Sequence, residues 1–325
     1  MKRHRKVPFP YLAVNGFQMD IFLQQIVNGL VQGSIYALVA LGYTMVYGIM
    51  GLINFAHGEV VMIGTLVAIT VTGSLTAAGM PVGIAGLCGL VVSILSCMAI
   101  GWSLERVAYR PLRGSPRLTP LITAIGMSIV LQNLAMILWG RNYMTFPPLL
   151  PKVNFEFAGA HFTLVQVVIV LLSAAMMTGL VLLVYRTKLG MAMRATAQNP
   201  AVASLMGVNI NRVISAAFVI GSALAAVAGV MVGSYYEVAH YQMGFILGLK
   251  AFTAAVLGGI GNLVGAMVGG VLLGIIEALG AGYIGDLTGG FLGSHYQDIF
   301  AFAVLIVVLM FKPSGLFGEK TGDRA

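Results

Sequence analysis

Six stretches of this chain contain no Asp, Glu, Lys or Arg: residues 21–58, 60–104, 118–140, 163–185, 213–236 and 251–276. An α-helix needs about 20 apolar residues to cross a hydrocarbon core of about 30 Å, so most of these stretches hold one crossing or more. With 59% hydrophobic and 9% charged residues, the sequence reads as an all-α, polytopic integral membrane bundle. We expect about eight or nine transmembrane helices with a broken or re-entrant segment. That class removes most soluble enzyme chemistry and makes every ionisable residue within the bilayer a question.

At 325 residues, length alone would suggest two soluble domains. The longest connections, 141–162 and 186–212, are too short to fold as a second core. The expectation is a single transmembrane domain over 21–312, between a basic N-terminal tail (1–20) and a cytoplasmic C-terminal tail (313–325). The net charge of +8 does not indicate nucleic acid, because the Lys and Arg residues flank apolar spans, where they report topology. Cys88 and Cys97 share one apolar segment and read as small packing residues, not a disulfide. The run after the basic start is too long for a cleaved signal peptide, so the first span is expected to remain.

Spans fall near 21–48, 60–79, 82–104, 118–140, 163–185, 213–236, 263–283 and 297–311. Gly244–Gly261, interrupted by Lys250, is a ninth crossing or a re-entrant element. Residues 105–117 carry four arginines against Glu105, and residues 186–212 carry Arg186, Lys188, Arg194 and Arg212 with no acid. Both read as cytoplasmic, and the proline-containing loop 141–162 between them reads as external. A cytoplasmic Lys312 then requires an even number of crossings after Arg212, which favours Gly244–Gly261 as a crossing. For the N-terminus, Lys2, Arg3, Arg5 and Lys6 argue inside, whereas three spans before Glu105 argue outside.

The stretch Gly48–Glu59 places glycines, Asn54, His57 and Glu59 inside apolar surroundings. Intramembrane polar groups are costly, and irregular backbone survives there only when protein or a wet cavity satisfies it. Two readings stand. Asn54 and Glu59 cap a broken helix, or the polar residues belong to a translocation pathway. Lys250 is a further candidate, and both it and Glu277 could snorkel or pair. His57 with Glu59 supplies too few ligands for a metal site. Gly261, Gly265 and Gly269, spaced by four, would form a smooth helix-packing face. No P-loop, nucleophile–base pair or paired carboxylates occur, so catalytic residues, bound cofactors and metals are expected to be absent.

In the loop after residue 185, Asn199 suits an N-cap, Pro200 the first helical position and Gly207 the C′ position. About two turns lie between them, with Ala203, Leu205 and Met206 inside. So short a helix is marginal alone in water. It is either a connector packed on its own bundle or a knob for a cytoplasmic partner, with Gly190 and Arg194 just upstream.

These segments resemble the permease subunits of bacterial ABC importers for branched-chain amino acids, the LivH-type family. The resemblance rests on Asn28-Gly29, Tyr36-Ala37-Leu38, Gly42 to Gly48 (GYTMVYG) and Ile53 to Glu59 (INFAHGE). It continues through Glu105 to Pro111 (ERVAYRP), Ile125 to Ser128 (IGMS), Ala225 to Gly229 (AAVAG) and Lys250 to Gly261 (KAFTAAVLGGIG). It covers residues 21 to 317, and the chain departs from the family mainly in its basic N-terminal tail. The resemblance implies a multi-pass protein of the bacterial inner membrane, importing branched-chain amino acids. It also implies a second homologous permease, two cytoplasmic ATP-binding subunits holding ATP and Mg, and a periplasmic amino-acid-binding protein. The loop from Gly190 to Asn209 would then be the element docking on an ATPase. The alternatives are a related importer of urea or short amides, and an ion-coupled secondary transporter with a midplane site using Glu59 and Lys250.

Overall fold

The computed structural model describes residues 11–116, 118–157, 159–288 and 297–318. Helices and short strands follow in the order α1 (Tyr11–Met50), α2 (His57–Ala77), α3 (Val82–Leu104), α4 (Leu118–Trp139), β1 (Met144–Thr145), β2 (Asn154–Phe157), β3 (Ala160–Thr163) and α5 (Leu164–Arg186). The second half continues with α6 (Lys188–Gln198), α7 (Pro200–Leu205), α8 (Ile210–Tyr236), β4 (Val238–Ala239), α9 (Met243–Gly258), α10 (Leu263–Leu287) and α11 (Gln297–Phe311). A π-helical turn (Glu105–Tyr109) and a 3₁₀ turn (Arg110–Leu112) extend α3.

Seven of the described helices are long and apolar enough to cross a bilayer. α9 and α11, with 16 and 15 residues, are shorter and cover about 24 and 22 Å. The nine apolar segments expected are therefore present, two of them at reduced length. α1 and α8 sit in the centre, whereas α3, α4 and α5 turn apolar residues such as Leu87, Ile122 and Leu171 outward. In water such faces would be a liability; against lipid tails they are neutral.

The two ends of the bundle differ. Arg113 bonds Asn211, so the turn after α3 and the start of α8 share one end, which carries most of the arginines. At the opposite end β1 pairs antiparallel with β4 (Met144 opposite Ala239) and β2 with β3. Gln24, near the start of the span in α1, bonds the backbone of His161 in β3. The first span therefore begins at the end opposite the arginines, as three spans before Glu105 require. Lys2, Arg3, Arg5 and Lys6 lie outside the described residues.

Helices inside a bilayer gain little from hydrophobicity and associate through close packing of small residues. The antiparallel pair α1–α10 is built this way. A Cβ on Gly274 would lie 2.3 Å from the Gly33 backbone nitrogen, and one on Gly270 would lie 2.4 Å from the Ala37 Cα. The expected face Gly261–Gly265–Gly269 needs correction. Gly261, at φ +96°, lies in the turn before α10 and not on the helix, while Gly265 and Gly269 do pack on the backbone of Gly258 and Ala254. Beyond α11 the chain turns back. Leu316 and Phe317 donate backbone hydrogen bonds (2.9 Å each) to Leu257 and Gly258, so the described part of the expected C-terminal tail packs on the end of α9.

Candidate functional site

The stretch around Asn54 is a connection between two antiparallel spans, not a break within one. Residues 51–56 return the chain from α1 to α2, and the position before α2 is Ala56, with no side-chain cap. The expected capping role of Asn54 and Glu59 is therefore corrected. Asn54 instead accepts a hydrogen bond from the Tyr109 hydroxyl (2.8 Å), and its backbone oxygen accepts from His57 N–H (3.0 Å). His57 is buried with its ring edge-on to Tyr43, centroids 5.0 Å apart. A Cβ on Gly42 would lie 2.1 Å from its Nε2, so this glycine makes the room for the imidazole. Glu59 accepts from the Ser128 hydroxyl through Oε1 (3.2 Å), and its Oε2 faces Gly244 at the start of α9.

Among the described residues, His57 Nε2 and Glu59 Oε2 have no hydrogen-bond partner. Burying a polar atom without a partner costs about 1–3 kcal/mol, and inside a membrane such atoms are the first candidates for a pathway. Beside them Tyr43, Tyr47, Ile53, Phe252, Ala255 and Ile260 enclose about 10 Å³, room for one water and too little for an amino-acid side chain. If Glu59 serves by hydrogen bonding, Glu59→Gln retains more transport than Glu59→Leu, because Leu leaves Ser128 unsatisfied. Uptake normalised to membrane protein level checks this; equal loss from both would assign the role to the charge.

Lys250 does not join this group. Its ammonium pairs with Glu277 of α10, with Asp298 of α11 at 2.8 Å, and lies 3.4 Å from the Tyr36 hydroxyl of α1. Glu277 is fully buried. One cation thus ties four helices together. The sequence reading left the partners of Lys250 and Glu277 open and missed Asp298 and Tyr36. The available signal was three isolated charges, one in each of three successive apolar segments.

At the arginine-rich end, α6 begins with Thr187 accepting from Gly190 N–H (3.0 Å), a helix start absent from the sequence reading. Gly190 sits tightly on the end of α5, where a Cβ would lie 2.1 Å from the Val184 oxygen. Arg194 rests over the Tyr185 ring at 5.3 Å. Asn199 caps α7 by accepting from Val202 N–H (3.1 Å), and Pro200 occupies the first helical position. Gly207, at φ +84°, closes it: its N–H bonds Ser204 (3.0 Å) and Val208 N–H bonds Ala203 (3.1 Å), a Schellman ending. Ala203 is buried against the bundle, but Leu205 and Met206 are 86% and 81% exposed and Val202 53%. The helix is held at both ends and presents its apolar side outward.

A third cluster lies beside it. Glu105, fully buried, accepts from Arg110 (3.2 Å), Arg113 and the Ser215 hydroxyl (2.7 Å). Burial draws the Arg113 guanidinium below its ordinary range, and the neighbouring Glu105 carboxylate opposes that shift. The sequence reading used these arginines for orientation and, within Glu105 to Pro111, for the family resemblance, but assigned them to no cluster.

Residues 25–309 match the family model described as "Branched-chain amino acid transport system / permease component". The chain is 49% identical over 309 residues to the high-affinity branched-chain amino acid transport system permease protein BraD of Pseudomonas aeruginosa, covering 93% of this chain and 98% of that one. It is 47% identical over 312 residues to the corresponding protein LivH of Escherichia coli K12, covering 94% and 99%. A probable branched-chain amino acid permease of Methanocaldococcus jannaschii is 28% identical over 92% of this chain and 94% of its own length.

Proposed function

The chain belongs to the permease family of branched-chain amino acid transport systems, and from that premise we propose that it forms the transmembrane path of an ATP-driven importer for leucine, isoleucine and valine. In this reading it hydrolyses nothing and carries no cofactor. ATP and Mg sit on two cytoplasmic subunits, a second related permease completes the path, and a periplasmic binding protein delivers the amino acid to the end bearing β1–β4. The arginine-rich end and the tail after α11 face the cytoplasm of a bacterial inner membrane, as an excess of Lys and Arg there favours.

The observation that carries the reading is α7. A six-residue helix fixed by its own caps and displaying Leu205 and Met206 to solvent supports a docking role, since exposed large apolar groups at a defined spot mark an interaction surface. ATP-driven closure of the partner subunits would move α6 and α7, and through Gly190 the end of α5. The polar wedge of Asn54, His57 and Glu59 lies where α1, α2, α4 and α9 meet, a place where helix movement changes access. An ion-coupled mechanism built on Glu59 with Lys250 finds no support in the geometry, because Lys250 is committed to Glu277 and Asp298.

A host lacking its own branched-chain importers, complemented with this chain and its partner subunits, is expected to regain saturable uptake of labelled leucine, isoleucine and valine. Labelled urea and acetamide are expected to enter at background rates. Uptake of urea or acetamide with no response to leucine would replace the amino-acid reading by the amide one.

A further inference from the structure

The arginine cluster frames a cavity of about 410 Å³ between the end of α3 and the start of α8, lined by Trp102, Arg106, Arg110, Asn209, Asn211 and Arg212 among others. Glu105 is engaged by Arg110 and Arg113, and this single carboxylate is outnumbered by those two guanidiniums and by Arg106 and Arg212 on the cavity wall, so the site keeps a positive excess. Among the described residues Arg106 and Arg212 form no ion pair; Arg106 lies over the Trp102 ring at 5.8 Å. The cavity also opens on the first turn of α8, whose backbone N–H groups add positive potential.

A second observation gives the site a direction. Trp102 is exposed, as a residue at the boundary between headgroups and tails would be. Val91 and Leu95, also exposed, lie four and seven residues apart along α3 from one another and from Trp102, and so share its face. They form an apolar track leading from the cavity toward the middle of the bilayer. A free phosphate would use the arginines alone. A phospholipid would use both the arginines and the track.

We infer that this cavity binds the headgroup of an anionic phospholipid, with an acyl chain lying along Val91 and Leu95. Arg106 and Arg212 are the specific cationic contacts, Asn209 and Asn211 flank the phosphodiester, and Trp102 marks the depth. The inference rests on the membrane fold and not on the transported substrate.

Trp102 also supplies the readout, because the chain has two tryptophans. Trp139→Phe removes the other one at the far end of α4, at the loss of one hydrogen bond to Thr70. The full chain carrying this change, in phosphatidylcholine nanodiscs, is titrated with acyl-brominated phosphatidylglycerol or acyl-brominated phosphatidylcholine, and Trp102 quenching is recorded. Half-maximal quenching is expected at a roughly tenfold lower mole fraction of the anionic lipid. Arg106→Gln with Arg212→Gln, two exposed positions that form no ion pair among the described residues, is expected to bring the two lipids within about twofold. Arg186→Gln, exposed at the same end but outside the cavity, is expected to leave the preference intact. Equal quenching by both lipids in the unaltered cavity, or equal loss of preference from Arg186→Gln, would overturn the inference. So would reversal of quenching by millimolar inorganic phosphate, which would assign the site to a soluble phosphoryl group.

Discussion

Ser204→Pro is expected to stop transport while leaving the chain inserted at normal levels. Ser204 lies in the last turn of α7, where proline removes a backbone donor and pushes its ring into the preceding turn, at about 3 kcal/mol or more. A helix of six residues has no reserve against this, since its own propagation is marginal and it stands on the Asn199 cap and the Gly207 ending. The flanking spans α5 and α8 have independent caps at Thr163 and Asn209 and are untouched. The consequence falls on Leu205 and Met206, whose direction depends on that turn. Capture of the ATPase subunits should weaken by roughly a hundredfold, matching about 3 kcal/mol. Arg194→Glu should act in the same direction but less completely, because Arg194 stacks on Tyr185 and the fold of α7 does not depend on it. Co-purification of the ATPases with each variant, together with uptake, is the measurement.

Lys250→Met is expected to be the most destabilising single change of charge in the chain. Among the described residues it removes the one cation paired with both Glu277 and Asp298, and leaves the buried Glu277 carboxylate without a cationic partner between α1, α9 and α10. Breaking a buried pair by deleting one partner costs about 3–5 kcal/mol, because the remaining charge stays out of water. Replacing both members removes that penalty, so Lys250→Met with Glu277→Met should recover most of the lost stability. Asp298, which is only partly buried, can be solvated in the double variant. Denaturation of the purified complexes in detergent separates the two cases. Equal instability of the single and double variants would mean that the cluster contributes packing and not charge compensation.

How much of this was legible in the sequence depends on whether a feature is local. The spans were, because hydrophobicity over twenty residues is a property of the segment itself. The ends of α7 were legible for the same reason: Asn199, Pro200 and Gly207 act on backbone groups within a few positions. The start of α6 was equally local, but the Thr187 cap was not weighed and Gly190 hid a helix beginning. The partners of the intramembrane polar residues were not legible. Tyr109 lies 55 positions from Asn54 and Ser128 lies 69 from Glu59, so those contacts exist only once the helices have packed. The glycine reading chose Gly261, Gly265 and Gly269 although Gly29–Gly33 and Gly270–Gly274 show the same spacing. Spacing identifies candidate faces; which neighbour each one meets is settled by topology, here α1 against Gly270 and Gly274 and the end of α9 against Gly265 and Gly269.

Proteoliposomes test the central claim most directly, by measuring uptake of labelled leucine with this chain alone and with the second permease, the ATP-binding subunits and the loaded binding protein. The complete assembly is expected to accumulate leucine only when ATP is supplied on the side of the arginine-rich end, and the lone chain to give uptake no faster than empty vesicles. Robust leucine accumulation by the lone chain, driven by an ion gradient or by ATP, would contradict the account.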